Sequence, residues 1–291
     1  MSRIVVLGDL NLDVHARVPS ELTSGEEARD LVRASPGGSA GTFARVAAAQ
    51  GASVAFLGCV GTDLVGDLLV RSLEAAGVEP IVQRANRPSG VILALQEGPE
   101  RTMICSRGAN DGILADRIGA SIFDAADHLH VSGYAFLSES QLPAVERALG
   151  LARKLRLSVS VDPPPANLIR NFGVAAFLRL LPARGWLFPN RTEGEFLTGV
   201  DAPEAIVDRL ATRFEVGALT MGAEGSLAWA GKNRHEQPTD RLEGVDTTGA
   251  GDAFAGAFVV AYLDARDVER ANLSGCRAAR DHLPSNSGTN A

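Results

Sequence analysis

Residues 245–262 read Val245-Asp246-Thr247-Thr248-Gly249-Ala250-Gly251-Asp252-Ala253-Phe254-Ala255-Gly256-Ala257-Phe258-Val259-Val260-Ala261-Tyr262. Ala253, Phe254, Ala257, Phe258, Ala261 and Tyr262 fall at i, i+3, i+4 spacing, which predicts a helix with a buried side. Gly249 and Gly251 stand where that helix begins. Glycines there let consecutive backbone N–H groups turn toward one point, and the helix N-terminus adds its positive dipole end to the same point. Together they make an anion site. Asp252 lies in the first turn, where its charge repels a bound anion. In that place a carboxylate can take a proton from a hydroxyl while the N–H groups neutralise charge on a phosphoryl group in transfer. A lone first-turn Asp more often only complements the helix dipole. Inside Asp246-Thr-Thr-Gly-Ala-Gly-Asp252 the chemical reading is the stronger one.

The rest of the chain limits the choices. Its 291 residues allow one large or two ordinary domains, and 45% apolar against 22% charged residues is enough for a sizeable core. The balance of 28 basic and 35 acidic residues gives −7. The basic residues are scattered, so nucleic acid is not an expected partner. Cys59, Cys105 and Cys276 show no metal-ligand spacing and read as reduced thiols. The chain enters Ile4-Val5-Val6-Leu7 without a leader segment and has no run of membrane-spanning length. A soluble cytoplasmic protein is therefore expected.

Residues 4–7 read as a buried parallel strand ending in Gly8-Asp9. Residues 11–18 alternate polar and apolar, as a half-solvated strand does, and a second such piece is expected over 28–32. Ser35-Pro36-Gly37-Gly38-Ser39 breaks the chain, with Ser39 the expected N-cap of a helix over 40–50. A strand over 53–57, a helix over 63–76 and a hairpin of 91–96 with 102–106 follow. Further strands are expected over 129–132, 157–161, 186–188 and 216–220, with helices over 142–155 and 203–214. An antiparallel strand is expected over 227–229 and a last helix over 267–283. Such alternation makes a mostly parallel sheet with helices on both faces, whose ligands bind beyond the carboxyl ends of the strands. Asp9, Asp162 and Asn190 fall at those ends. The half-polar strands suit a small separate sheet lying over the site. His15, His128, His130, His235 and His282 show no metal or catalytic spacing; His128 and His130 share one face of a strand.

The 246–252 segment resembles the carboxy-terminal signature, D-T-x-G-A-G-D, of the ribokinase-like (PfkB) carbohydrate kinases. Gly37-Gly38-Ser39-Ala40-Gly41-Thr42 and the stretch Val54 to Gly66 are similar to the family's amino-terminal signature. The resemblance covers nearly the whole chain. It implies a single domain over 1–291, an α/β ribokinase-like three-layer α/β/α sandwich with a mostly parallel sheet, and a small β-sheet lid from about 11–34 and 88–107. It implies an ATP-dependent kinase acting on a hydroxymethyl group of a small sugar or sugar acid. Asp252 would be the base, and Gly249, Ala250 and Gly251 the anion hole. Asp13, Gly37, Gly38, Thr42 and Arg107 would meet the substrate. Asn190, Thr220, Gly222, Gly225 and Thr247 would meet ATP, and Glu193 would serve Mg²⁺ through water. K⁺ near the carbonyls of Asp246 and Thr248, and a homodimer through the lid, are further expectations. Two departures stand out: Thr42 where the family commonly has Asn, and Ser39 where ribose-phosphorylating members have Lys. Both make ribose itself a less natural substrate.

Other readings remain open at this point. A nucleoside kinase shares the chemistry, although only 5% of residues are aromatic and could stack a base. A sugar-binding protein without catalysis would have no need of Asp252. A dinucleotide-dependent oxidoreductase needs G-x-G-x-x-G after an early strand, and Gly8-Asp9-Leu10 offers none.

Overall fold

The computed structural model describes residues 1–19, 27, 29, 31–97, 100–239 and 247–283. Its organising strand is β1 (Arg3–Leu7). Successive side chains of a strand point to opposite faces, so a strand apolar from Ile4 through Leu7 is covered on both. Ile4 and Val6 enter one core with Phe43, Phe56, Phe254 and Phe258; Val5 and Leu7 enter the other with Leu129, Val131, Phe136 and Phe177.

β1 pairs in parallel with β4 (Ser53–Gly61) on one side and β8 (His128–Ser132) on the other. Beyond β4 lies β5 (Val78–Ala85); beyond β8 come β9 (Ser158–Asp162), β10 (Trp186–Leu187) and β11 (Val216–Thr220), all parallel. Antiparallel β12 (Ser226–Ala230) and β13 (Asn233–Gln237) complete this sheet at one edge. Helices α1 (Ser39–Ala49), α2 (Leu64–Ala75), α8 (Ala250–Ala265) and α9 (Val268–His282) cover one face. On the other lie α3 (Leu142–Leu155), α4 (Ala166–Phe172), α5 (Val174–Leu180), α6 (Arg191–Thr198) and α7 (Pro203–Ala211). The small separate sheet runs β3 (Val32–Gly37), β2 (Asn11–Arg17), β6 (Gly90–Glu97), β7 (Glu100–Ser106).

Several expectations are corrected. The strand placed over 28–32 is Val32–Gly37, and residues 28 and 30 lie outside the described ones. The small sheet thus runs through Gly37, past the expected limit at 34. Pro36 looked like a breaker, yet β3 is an edge strand, where a missing N–H is tolerated. The N-cap of α1 is Gly38, not Ser39. The Ser39 hydroxyl is occupied elsewhere, as described below. β5 carries Pro80, Gln83 and Arg84, which mask an edge strand in the sequence, and β13 is polar for the same reason. α4 and α5 were not anticipated; they meet at Gly173, whose positive φ of 98° turns the chain between them. α8 is buried continuously over Ala253–Val260, on more than the one face expected, because α1 and α9 pack on it as well as the sheet. His128 and His130 are fully buried. Their ring nitrogens lie within 2.7–2.8 Å of the Ser158 and Ser160 hydroxyls, and His130 stacks on Phe43 at 3.6 Å. Burial pushes both imidazoles down, His128 to about 3, so both are neutral.

Candidate active site

Three chain segments meet beyond the carboxyl ends of β1, β9 and β11. The first is the start of α8. Gly249 is its N-cap in the left-handed conformation, φ 78°. A Cβ there would lie 2.7 Å from His282 Nε2 and 3.5 Å from Thr42 Cγ2, so only glycine fits both the turn and the packing. The Ala253 N–H reaches the Gly249 carbonyl at 2.9 Å, and the Ala250 N–H the Thr247 carbonyl at 3.2 Å. The Gly251 and Asp252 N–H groups are left without intrahelical acceptors. Gly251 is exposed, with no atom within 4 Å of where a Cβ would stand. The backbone there is open to a ligand. Of the three expected anion-hole residues, Gly249 shapes the turn, Ala250 spends its N–H on Thr247, and Gly251 presents its own.

Asp252, the expected base, lies in the first turn of α8. The Ser39 hydroxyl, in the first turn of α1, donates to its Oδ1 at 2.6 Å. Burial pushes the carboxyl up to about 6; the Ser39 bond and the Arg45 guanidinium hold it down, and the nearby Asp13 raises it. Asp13 sits on β2, opposite Ser35 of β3. Its carboxylate lies flat against Gly37, where a Cβ would meet Oδ2 at 1.9 Å. Gly37 is thereby explained by Asp13, and Gly38 by its approach to the Asp9 carbonyl. Thr42 is buried in α1 and accepts from Arg45 Nη2 at 3.2 Å. From the sequence Ser39 is expected only as a helix cap and as a departure from the ribose-phosphorylating pattern, not as a partner of Asp252, and Arg45 has no expected role. A serine and an arginine inside a helix carry no signal of their own.

Arg107 is held by protein carboxylates. Its Nη1 and Nη2 donate to both oxygens of Asp9 at 2.9 and 3.2 Å, and its Nε to Asp111 at 2.9 Å. Burial works against the guanidinium charge, and the two aspartates more than compensate, raising its pKa. Asp9 is 5% exposed and is reached by Gln141 Nε2 as well. Asn110 ties this floor together, accepting from the Leu10 N–H and donating to Asn11 Oδ1 at 2.7 Å.

On the third side, Asn190 caps α6 and forms a capping box with Glu193. Both Glu193 oxygens are engaged by Asn190, from its backbone N–H at 2.9 Å and its Nδ2 at 2.7 Å. Burial pushes the Glu193 carboxyl up to about 8, against the Asn190 bonds. Thr220 ends β11, bridged to Asn190. Gly222 and Gly225 shape the turn that follows, where the Met221 N–H returns to the Gly225 carbonyl. Thr247 is exposed just before α8. The acid with spare coordination capacity is Asp162, at the end of β9: both its oxygens are buried and without a hydrogen-bond partner. Burial pushes it well up, and Asp252 and Glu193 push it further. The sequence placed Asp162 at a strand end without giving it a role. Among the described residues, no group of three or more His, Cys, Asp or Glu could hold a metal unaided. An Mg²⁺ ion fits such a place, since it keeps waters and binds through few carboxylates plus nucleotide phosphates.

An open, glycine-lined helix start beside a carboxylate, at the carboxyl ends of a parallel sheet, defines a phosphotransferase-type site on an α/β fold. The chain matches the family of pfkB family carbohydrate kinases over residues 1–281 and belongs to it. Its enzymes are ATP-dependent phosphotransferases. Over 289 residues it is 29% identical to a ribokinase of Haemophilus influenzae, covering 95% of this chain and 90% of that one. Over 283 residues it is 30% identical to an ATP-dependent ribose-1-phosphate kinase of Halopiger xanaduensis, covering 93% and 88%. Its fold matches that of a putative ribokinase II of E. coli solved with ATP and Mg²⁺, with TM-score 0.82 and 21% identity over 96% of this chain and 92% of that one. Among the described residues no helix is long and apolar enough to cross a membrane.

Proposed function

We propose that this enzyme transfers the γ-phosphoryl group of ATP to a hydroxymethyl group of a small neutral sugar. The observation that carries the reading is Asp252, fixed by Ser39 at the open start of α8. The substrate hydroxyl gives its proton to the Asp252 carboxylate as its oxygen bonds to the γ-phosphorus and ADP leaves. The Gly251 N–H and the dipole of α8 neutralise charge on the transferred group. Asp13, on the small sheet, takes sugar hydroxyls in charge-assisted bonds. That sheet serves as a lid, keeping competing water from the phosphoryl group. ATP lies along Asn190, Thr220, Gly222, Gly225 and Thr247. Asp162 would hold Mg²⁺ through water, with Glu193 fixing Asn190 beside it, and the ion when bound neutralises phosphate charge. K⁺ binding near Asp246 would fall partly outside the described residues.

Arg107 supports a neutral substrate. Its fork is closed on Asp9 and its Nε on Asp111, which leaves little to offer a sugar carboxylate. A second copy of this chain is the proposed cover for the outer face of the lid. Strand register puts Val32, Ala34, Val14, Leu93, Leu95 and Ile104 on one face, opposite Asp13, and Val32 and Ile104 are 65% and 57% exposed.

ADP release measured across pentoses, hexoses, sugar acids and nucleosides tests the reading. A neutral sugar should give the highest kcat/KM. A sugar acid preferred by more than about tenfold would overturn the neutral assignment. A nucleoside in first place would move the enzyme to the nucleoside branch of the same chemistry.

A further inference from the structure

Residues 86–89 carry the chain from β5 of the large sheet to β6 of the small one. The last of them, Ser89, is 2% exposed and is held twice by Asp63, the N-cap of α2. Asp63 Oδ1 accepts from the Ser89 hydroxyl at 2.6 Å and from the Gly66 N–H at 2.8 Å; its Oδ2 accepts from the Ser89 N–H at 2.8 Å. The Ser89 hydroxyl in turn accepts from the Gly61 N–H at 2.9 Å, and the Gly61 carbonyl accepts from Arg84 Nη1 at 2.9 Å. Arg84 Nη2 reaches Asp67 of α2 at 2.8 Å. A Cβ on Gly61 would stand 2.8 Å from the Ser89 nitrogen and 3.0 Å from Asp63 Oδ2, so the joint has no room for a larger residue. From the other side, the Ala109 N–H donates to the Pro88 carbonyl at 2.8 Å.

A helix cap needs one side-chain acceptor for a first-turn N–H group. Asp63 meets that need with Oδ1 and Gly66 alone. Its other two bonds go to a residue 26 positions away, at the entry to the small sheet. The next residue, Gly90, opens β6 and pairs with Asn11 of β2; two residues further, Ile92 pairs with Asp13. Ser89 thus stands at the head of the strand that lies beside Asp13. A hydrogen-bonded ladder fixes the register of its strands, so a displacement at Ser89 is passed on to the place of the Asp13 carboxylate.

We propose that Asp63 is a positioning residue for the sugar end of the site: through Ser89 it fixes the head of β6, and through β6 the place of Asp13. This rests on Asp13 being the group that takes sugar hydroxyls.

Asp63→Asn is the informative change. Asn caps a helix as well as Asp does, so α2 keeps its start, but the amide sets N–H donors against the Ser89 N–H. KM for the best sugar of the substrate screen should rise about tenfold, with kcat within about threefold and the Kd of ATP, measured by calorimetry, unchanged. Amide hydrogen exchange should quicken over 11–17 and 90–97 while β1 and β8 keep their protection. Ser89→Ala keeps its N–H bond to Asp63 and loses both hydroxyl bonds. It should move KM and exchange in the same direction by less, and it carries the test if Asp63→Asn does not fold. A role in capping or packing alone would lower Tm and quicken exchange in β1 and β8 as much as in the small sheet, with the sugar KM unmoved; that result overturns the proposal. Asp13→Ala in the same assay separates the two claims. An unchanged sugar KM in that variant overturns the reading of the sugar site, and the role of Asp63 with it. A KM raised in Asp13→Ala but in neither Asp63→Asn nor Ser89→Ala overturns the role of Asp63 alone.

Discussion

The hydroxyl of Ser39 and the carboxylate of Asp252 are 2.6 Å apart although 213 residues separate them in the chain. The bond joins the first turns of α1 and α8, the two helices that follow the two glycine-rich segments. It joins the proposed base from one signature to a donor from the other. Charge-assisted O–H···O⁻ bonds of this length are among the stronger hydrogen bonds in proteins.

Replacing Asp252 by Asn should leave folding and ATP binding intact and lower kcat by about 10²–10⁴-fold, or roughly 3–5 kcal/mol. Steady-state kinetics with the best sugar, and ATP titration by calorimetry, check both halves. Near-native turnover would remove Asp252 from catalysis.

The same residue makes a prediction about stability. Its carboxyl is held up at about 6 from the ordinary 3.8, mainly by burial. A raised acid favours the fold in its neutral form, so this contribution is whole below pH 4 and is lost as pH rises through about 6. Asp252→Asn, neutral at every pH, should therefore be more stable than wild type at pH 8 and equal to it near pH 4. Thermal melts across that range decide it; a gap that does not change with pH would refute the burial account.

Ser39→Ala removes a bond that holds the Asp252 pKa down. The acid limb of kcat should move to higher pH, with kcat at pH 7 reduced by about 1–2 kcal/mol and little change at pH 9. A profile unchanged in shape would mean that the bond orients nothing the reaction uses.

For Arg107→Ala the expected result is instability. Asp9 would be left buried without its fork, at a cost of about 3–5 kcal/mol in urea unfolding. KM should rise alike for neutral and acidic sugars. A rise confined to sugar acids would reopen Arg107 as a carboxylate reader.

Asp162→Asn should raise the Mg²⁺ concentration needed for half-maximal turnover by about 10–100-fold, as loss of an outer-sphere partner does. It should also stabilise the fold, since a buried carboxyl without hydrogen-bond partners becomes a neutral amide. Mg²⁺ titrations at fixed ATP, read together with melts, test this; unchanged Mg²⁺ dependence would place the ion elsewhere.

Much of the architecture was legible because its cause is local. The apolar run from Ile4 to Leu7 in β1 and the polar–apolar alternation in β2 declare how many faces each strand buries, and that is a property of adjacent residues. The proposed anion site at Gly249 to Asp252 was legible for a similar reason: helix periodicity, glycine and a first-turn acid all lie within one short segment. Edge strands were harder. β5 and β13 need cover on fewer sides, so their polar residues and Pro80 carry no strand signature.

What the sequence determined by itself was therefore the doubly covered parallel sheet, the small half-polar sheet beside it, and the resemblance of the 246–252 segment to the signature of the family to which the chain belongs. Tertiary structure decided how the charges are paired. Arg107 belongs to Asp9 across 98 positions, Ser39 to Asp252, Glu193 to its own cap at Asn190, and Arg45 to the Pro36 carbonyl and Thr42. Periodicity and propensity act over a few residues, whereas a carboxylate's partner and its pKa depend on which distant side chains the fold brings within a few ångströms and on how much water it leaves there.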